Sequence, residues 1–427
     1  MKRFKLKILL IVLLFSLLAF LFIQIIIDKY LNAISEQQPE FSYSMQTFNR
    51  LIDIVDKNYQ YSDTFNYEGT LSWGGSYLQQ GYIYAYKATK NRQYLDKLIK
   101  QFDLVIAHRN DRVGTSDFRR QSSPAWRADG HYTFATVILE GEGGKKILKL
   151  KTNFYTAGSC TNNRRSCMQV EVSPGTKPHT FKVRLVYQKP IGTNLSDYLF
   201  DNLTMDQQSP NYAVDIINAG FKGAKPVTAI RLSHASDMTQ PSHTQLTDFE
   251  DGYYDFMVHS AMICYPMAMF AEEVYNSDLK YNNFYREKAD EYIDRIKESI
   301  SYHDSEFNAL SDGSGYFKFI SNNPAGLLDE EVPYNMELAM GRTMLRLLSL
   351  PSQAPITKAE RMLYQARVEA LAKNFQKSLR VLDDGYIWEY EKGGESIENP
   401  VHGHIDAQFL YQAYKAGIVF TKDDLKK

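Results

Sequence analysis

Residues 91–111 read NRQYLDKLIKQFDLVIAHRND, and the pattern in them decides the fold class. A tyrosine near the start (Tyr94), an apolar residue four places on (Leu98) and an acidic stop (Asp111) describe an amphipathic helix of about five turns. The pattern recurs in 282–304, NNFYREKADEYIDRIKESISYHD, with Tyr285, Ala289 and Asp304. It recurs again in 361–384, RMLYQARVEALAKNFQKSLRVLDD, with Tyr364, Val368 and Asp384. Each copy follows another helical pattern, over 73–89, 254–276 and 334–350, and a further helix spans 402–416. A helical hairpin buries one face only and must stack on its neighbours. Stacked hairpins that close on themselves predict an (α/α) toroid whose inner mouth is a cleft; an open helical solenoid is the competing arrangement.

Residues 124–240 break this period. HYTFATVILE, KKILKLKTNF, MQVEVS, HTFKVRLVY, NYAVDIIN and KPVTAIRL are short, β-branched or alternating runs between Gly, Pro, Asn and Ser. They predict an antiparallel β-sandwich inserted between a first toroid part, 43–123, and a second, 241–427. The fold class expected is therefore mainly α with a β insertion.

Upstream, 8–27 are twenty uncharged, mostly apolar residues, enough to span a bilayer core of about 30 Å. Lys2, Arg3, Lys5 and Lys7 precede them. The excess of positive charge before the span places a short tail, 1–7, in the cytoplasm and the remaining chain outside it. The apolar run is longer than the usual core of a cleaved leader, so 8–27 reads as a transmembrane signal anchor and 28–42 as a stalk.

A net charge of −1 offers no basic stripe for nucleic acid, and the expected partners are a polysaccharide, the membrane and an envelope assembly. Thirty tyrosines suit sugars, because a phenol both stacks and hydrogen-bonds. Cys160 and Cys167 flank TNNRRS and are placed to form a disulfide across a hairpin in an oxidising compartment. Cys264 lies in an apolar helical stretch and reads as a buried thiol. No metal or cofactor site is expected.

Four constellations carry candidate chemistry. In His402-Gly403-His404-Ile405-Asp406, His402 and Asp406 are four apart and share a helix face, while His404 points elsewhere. Glu330 and Glu331 precede a helix on which Asn335 and Arg342, seven apart, form a pair that grips a sugar carboxylate. Glu250 and Asp251 lie beside Tyr253 and Tyr254, a carboxylate and phenol arrangement suited to acid–base work. His259 follows on an apolar helix, where a lone histidine is usually a core residue. Trp73, Trp126 and Trp388 each sit in a polar, Gly-containing context and are candidate stacking platforms, Trp126 at the entry to the β insert.

From Tyr334 onward the order of features resembles the C-terminal domain of the D-glucuronyl C5-epimerases, within the wider class of (α/α)-toroid carbohydrate enzymes. The matching residues are Asn335 at a helix start, the 334–380 hairpin, Asp384-Gly385-Tyr386 with Trp388 and Tyr390, and Val401-His402-Gly403-His404-Ile405 with Gln408. This chain has Val401 where that family has a tyrosine, and its His–His spacing is one residue shorter. The resemblance implies action on a uronate-containing polysaccharide by C5 proton abstraction, as an epimerase or lyase. Asn335 and Arg342 would hold the carboxylate, Tyr386, Tyr390 or Tyr254 would move the proton, and His402 and Glu389 would support them. A glycoside hydrolase using a pair drawn from Glu250, Asp251, Glu330, Glu331 and Glu389 is the second expectation. A non-catalytic glycan-binding or envelope scaffold subunit is the third.

Overall fold

The computed structural model describes residues 45–58, 66, 69–117, 119–128, 132, 134–152, 168–188, 195–220, 227–320, 331–383, 385–394 and 396–426. The anchor 8–27, the stalk 28–42, Cys160, Cys167 and Glu330 lie outside these residues.

The described helices are α1 (Met45–Asn58), α2 (Ser76–Thr89, entered through a π turn at Leu71–Gly75), α3 (Gln93–Ala107), the single turn α4 (Asn110–Val113), α5 (Ala213–Ala219), α6 (Met257–Tyr275), α7 (Asn283–Tyr302), α8 (Tyr334–Leu348), α9 (Lys358–Ser378) and α10 (Pro400–Lys415). The three tyrosine-led stretches form α3, α7 and α9. Their apolar stripes are buried: Leu95, Leu98 and Phe102 on α3, Tyr292, Ile293 and Ile296 on α7, Val368, Leu371 and Phe375 on α9. Polar caps fix where two of them begin. Asn282 Oδ1 accepts from the N–H groups of Phe284 and Tyr285, and Thr357 and Glu360 cap each other reciprocally. Such a cap is worth about 1 kcal/mol.

The remaining long helices, α2, α6, α8 and α10, form an inner row. On α6 every residue but Glu272 is buried, as expected for a helix without a polar face. These four helices run in one direction. Trp73, in the turn leading into α2, lies beside His259 at the start of α6, and Lys90 pairs with Glu273 at the other end. Thr343 on α8 meets Ala261, and Arg346 meets Glu272. On α10, Gln408 lies against Arg342, while Tyr411 and Lys415 line a groove with Leu348 and Ser349 at the end of α8. All four helices therefore begin at the same end of the molecule. Close packing sets their spacing: a Cβ on Gly341 would stand 2.6 Å from Phe409 Cε2.

The strands form several antiparallel sheets. One has the order β6-β2-β1-β8, from β1 (Phe134–Glu140), β2 (Lys146–Thr152), β6 (Val227–Arg231) and β8 (Glu250–Gly252). The other has the order β5-β4-β3-β7, from β3 (Met168–Pro174), β4 (Phe181–Gln188), β5 (Leu195–Leu203) and β7 (Thr244–Asp248). They share one apolar core, distinct from the core of the helices. Two short hairpins lie within the helical part, β9 (Phe307–Ala309) with β10 (Gly315–Phe317) and β11 (Arg380–Leu382) with β12 (Gly385–Ile387).

The expected mainly α toroid behind a transmembrane helix is corrected on these observations. About half of the described residues are helical, with several small antiparallel sheets. No helix among the described residues is long and apolar enough to cross a membrane. Two local readings also change. NYAVDIIN, read as a strand, is the helix α5, because burying Ala213 and Ile217, four apart, satisfies a helical period. The strands continue beyond 240, through β7 and β8, before the chain returns to helices.

Candidate functional site

The end at which α2, α6, α8 and α10 begin gathers aromatic and polar side chains from all four. Trp73 stands edge-on to His259, with ring centroids 6.0 Å apart, and tilted to His402 at 6.4 Å. Its Nε1 donates to the Tyr132 hydroxyl at 3.1 Å, and Tyr132 lies edge-on to His259 at 4.6 Å. The Tyr390 ring also lies beside His402, with centroids 5.7 Å apart. The backbone carbonyl of Tyr390 accepts from Tyr334 N–H, which ties its segment to the start of α8.

Tyr77, one turn past Trp73, makes a second connection across the mouth. Its hydroxyl lies 2.8 Å from His404 Nε2, and His404 Nδ1 lies 2.6 Å from the Val401 carbonyl oxygen. A carbonyl only accepts, so Nδ1 carries the hydrogen and Nε2 accepts from the phenol. Burial pushes the Tyr77 hydroxyl up to about 12, against the lowering effect of Arg342, and burial lowers His404 from its ordinary value. The result is a neutral phenol bonded to a neutral imidazole whose orientation is fixed by a third group, the arrangement of an acid–base relay.

Beneath these rings lie buried polar atoms without hydrogen-bond partners among the described residues: His259 Nε2, Asn335 Oδ1, Arg342 Nε, Glu398 Oε2 and Asp406 Oδ1. Buried polar groups are satisfied in the great majority of cases, so such a cluster marks a place where something else supplies the partner. Asn66 Oδ1 accepts from the N–H groups of Leu71 and Ser72, so its Nδ2 donates to His259 Nδ1 at 3.4 Å. His259 Nε2 is then an N–H with no acceptor. Asp406 Oδ2 accepts from Trp388 Nε1 at 2.9 Å. Burial, with Glu398 adding to it, raises the Asp406 carboxyl well above its ordinary range, against the lowering effect of Arg342.

Arg342 is fully buried. Its guanidinium donates to Gln408 Oε1 at 2.7 Å and to Met262 Sδ at 2.8 Å, and stacks 4.1 Å from the Tyr265 ring centre. No carboxylate among the described residues pairs with it. A buried cation without a counter-ion costs several kcal/mol, roughly, even after relaxation. Four helix starts add their partial positive charge at this end. The field at the mouth favours an anion.

His259 gives this site a pH signature. Burial holds its imidazole down to about 3. An unfolded chain protonates it near about 6.5. Between those values the unfolded chain binds a proton that the folded chain does not. Its contribution to stability is complete above about pH 6.5 and falls by about 1.4 kcal/mol per unit as pH drops towards 3. Urea unfolding across this range is expected to show that slope, and His259→Gln to remove it. Equal slopes in the two proteins would contradict the buried neutral state.

The residues singled out in the sequence fall into three groups. Asn335, Arg342, Trp388, Trp73, Asp406, His402 and Tyr390 come together at or beneath the mouth. Tyr386, Tyr254, Glu389 and Trp126 are engaged elsewhere. Tyr386 donates to Asp424 at 2.7 Å, Glu389 pairs with Arg380 at 3.3 Å, and Trp126 is buried and donates to the Val105 carbonyl. Tyr254 is buried behind Phe256, its oxygen accepts from Ile320 N–H, and burial drives its hydroxyl far above its ordinary value. Glu250 forms the third group, as part of strand β8, where its backbone pairs with Thr136.

Tyr77 and Asn66 are the members that sequence reasoning did not single out, while His404 was read as pointing elsewhere and His259 as a core residue. His404 faces α2 rather than pointing away, and helical spacing within α10 alone cannot show which neighbour its faces meet. Tyr77, four residues after Trp73, had the signal of a shared face. No known protein-family model matches this chain, and no curated protein matches it.

A groove of about 940 Å³ lies at the opposite end, lined by Glu272, Arg346, Arg361, Gln365, Tyr411 and Lys415. Its charged groups bond to each other and to backbone: Arg346 to Glu272, Gln365 to Glu369, Arg361 to the carbonyls of Leu350 and Pro351. Of its lining atoms, Arg346 Nε and Gln412 Oε1 are buried without a hydrogen-bond partner among the described residues.

Proposed function

We propose that this chain acts on a uronate-containing polysaccharide by abstraction of the C5 proton. The observation that carries the reading is the buried Arg342 guanidinium without a carboxylate partner, beneath a mouth of aromatic rings where four helices begin. A sugar carboxylate is the anion of matching size and chemistry. The rings of Trp73, Tyr390 and His402 offer stacking surfaces for the pyranose.

In this reading Tyr77 oxygen takes the C5 proton as its own hydroxyl proton passes to His404 Nε2. The C5–H electron pair moves into the carboxylate, whose growing negative charge is met by Arg342 and by the unpartnered N–H of His259. Tyr390, beside His402, is the group assigned to return a proton in an epimerase; loss of the C4 substituent instead makes the reaction a lyase. The hydrolase reading is less well supported. Glu331 bonds to Asn374 and pairs with Lys392, Glu389 pairs with Arg380, and Glu250 and Asp251 belong to strand β8.

The test is incubation of the chain with heparosan, alginate, pectate and neutral glycans in deuterated water. Deuterium at C5 of a uronate, with or without an ultraviolet-absorbing unsaturated product, is expected. Reducing ends released from a neutral glycan, with no deuterium in any uronate, would overturn the proposal.

A further inference from the structure

The sheet β6-β2-β1-β8 presents one face to the shared apolar core through Leu148, Leu150 and Thr152, which leaves the alternate residues on its other face. On β2 those are Lys149 and Lys151. Register places Lys149 between Ile138 and Ile230, and Lys151 between Thr136 and Thr228. Ile138 and Ile230 are exposed. Lys151 is 7% exposed, yet neither its amine nor that of Lys149 makes an ion pair or hydrogen bond among the described residues.

Other cations of these sheets differ. Arg184 is held by Asp197 and Glu171, Lys182 by Asp201 and Lys145 by Asp237. Burial, with Lys149 adding to it, lowers the Lys151 amine to about 8, the mark of a charge without compensation. An ammonium whose stem is buried and whose partner is missing is a standing demand for an anion.

The position of this face gives the demand a meaning. Tyr132, whose ring contacts Trp73 and His259 in the mouth, leads directly into β1. Ala135 N–H donates to Thr152 Oγ1 at 2.9 Å, so Lys151 lies at the end of β2 nearest the mouth. Thr136, the residue opposite Lys151, is four residues from Tyr132, at most roughly 13 Å along the chain. A long polymer seated in the mouth reaches that far.

We propose that the outward face of this sheet, with Lys149 and Lys151 set among Thr136, Thr228, Ile138 and Ile230, is a second binding surface for the anionic polysaccharide chain that leaves the mouth. This rests on the proposed function, since it takes the same polymer. The lysines meet carboxylates of sugars remote from the reacting one, the threonines offer hydroxyls, and the isoleucines meet the apolar faces of the rings. The surface selects for chain length.

The test compares a heparosan or alginate tetrasaccharide with a polymer of the same sugar, by calorimetry on the whole chain. Lys151→Met and the Lys149→Met/Lys151→Met double variant are expected to weaken polymer binding by about tenfold and leave tetrasaccharide binding within about twofold. Lys151→Arg is expected to restore the polymer affinity. Unchanged polymer binding in the double variant would overturn this surface while leaving the mouth intact. Parallel loss of tetrasaccharide and polymer would also overturn it, as a general loss of fold. Failure of the unaltered chain to bind any uronate oligosaccharide would instead remove the proposed function itself.

Discussion

Tyr77→Phe is expected to slow deuterium exchange at C5 of a bound uronate by about 10²–10⁴-fold, the range that a positioned acid–base group contributes. The ring is retained, so its packing against His404 survives and affinity changes little. The loss falls on kcat rather than KM. His404→Gln removes the acceptor of the same proton and is expected to cost a similar factor. Because the two groups form one relay, the double variant should be hardly worse than either single one. Tyr77 is 38% exposed, so the lost hydroxyl costs stability no more than about 0.5–1.5 kcal/mol. Independent, multiplying losses in the double variant, or a rate unchanged by Tyr77→Phe, would show that the pair only packs.

Arg342→Met is expected to weaken uronate binding by about 2–5 kcal/mol, which is about 30-fold or more. Binding of a neutral oligosaccharide of the same length is expected to stay within about threefold. The same change is expected not to lower the unfolding free energy. It removes a buried charge that no described carboxylate neutralises, and methionine fills a similar volume beside Met262 and Tyr265. Against that stands Gln408 Oε1, left without its donor at a cost of about 1–3 kcal/mol. A structural arginine gives the opposite pattern, with stability lost and the uronate-to-neutral preference unchanged. Denaturant unfolding and paired titrations with charged and neutral sugars read both halves.

Legibility in the sequence followed from how local each signal is. The tyrosine-led helices α3, α7 and α9 were readable because one face of each is buried along its length, which imposes a 3.6-residue period. The hairpins β9–β10 and β11–β12 were not, since three-residue strands hold too few alternations to form a period, and they abut strong helical patterns. Trp73 and Trp126 looked alike in sequence, both polar and glycine-flanked. Only tertiary placement separates them, one at the mouth and the other bonded to Val105 inside the core. Arg342 and Asn335 were grouped by their spacing of seven on one helix, α8. What spacing could not show is that α8 is buried all round at that level, so that the cation meets Gln408, Met262 and Tyr265 and no carboxylate among the described residues pairs with it. The histidines of α10 were visible as a cluster, but their division of labour depends on which helix each one faces.

The bond between Tyr77 and His404 joins residues 327 positions apart. At the usual pace of synthesis, about 5–20 residues per second, the ribosome adds His404 roughly half a minute after Tyr77. Throughout that interval a nascent chain has the aromatic wall of α2 but no acceptor for its phenol, so the relay cannot operate on an incomplete polypeptide. In the proposed reaction, docking of α10 is the step that completes the relay. A protease cut or early stop that removes α10 would leave a chain whose remaining helices still pack but whose proton path is open at one end.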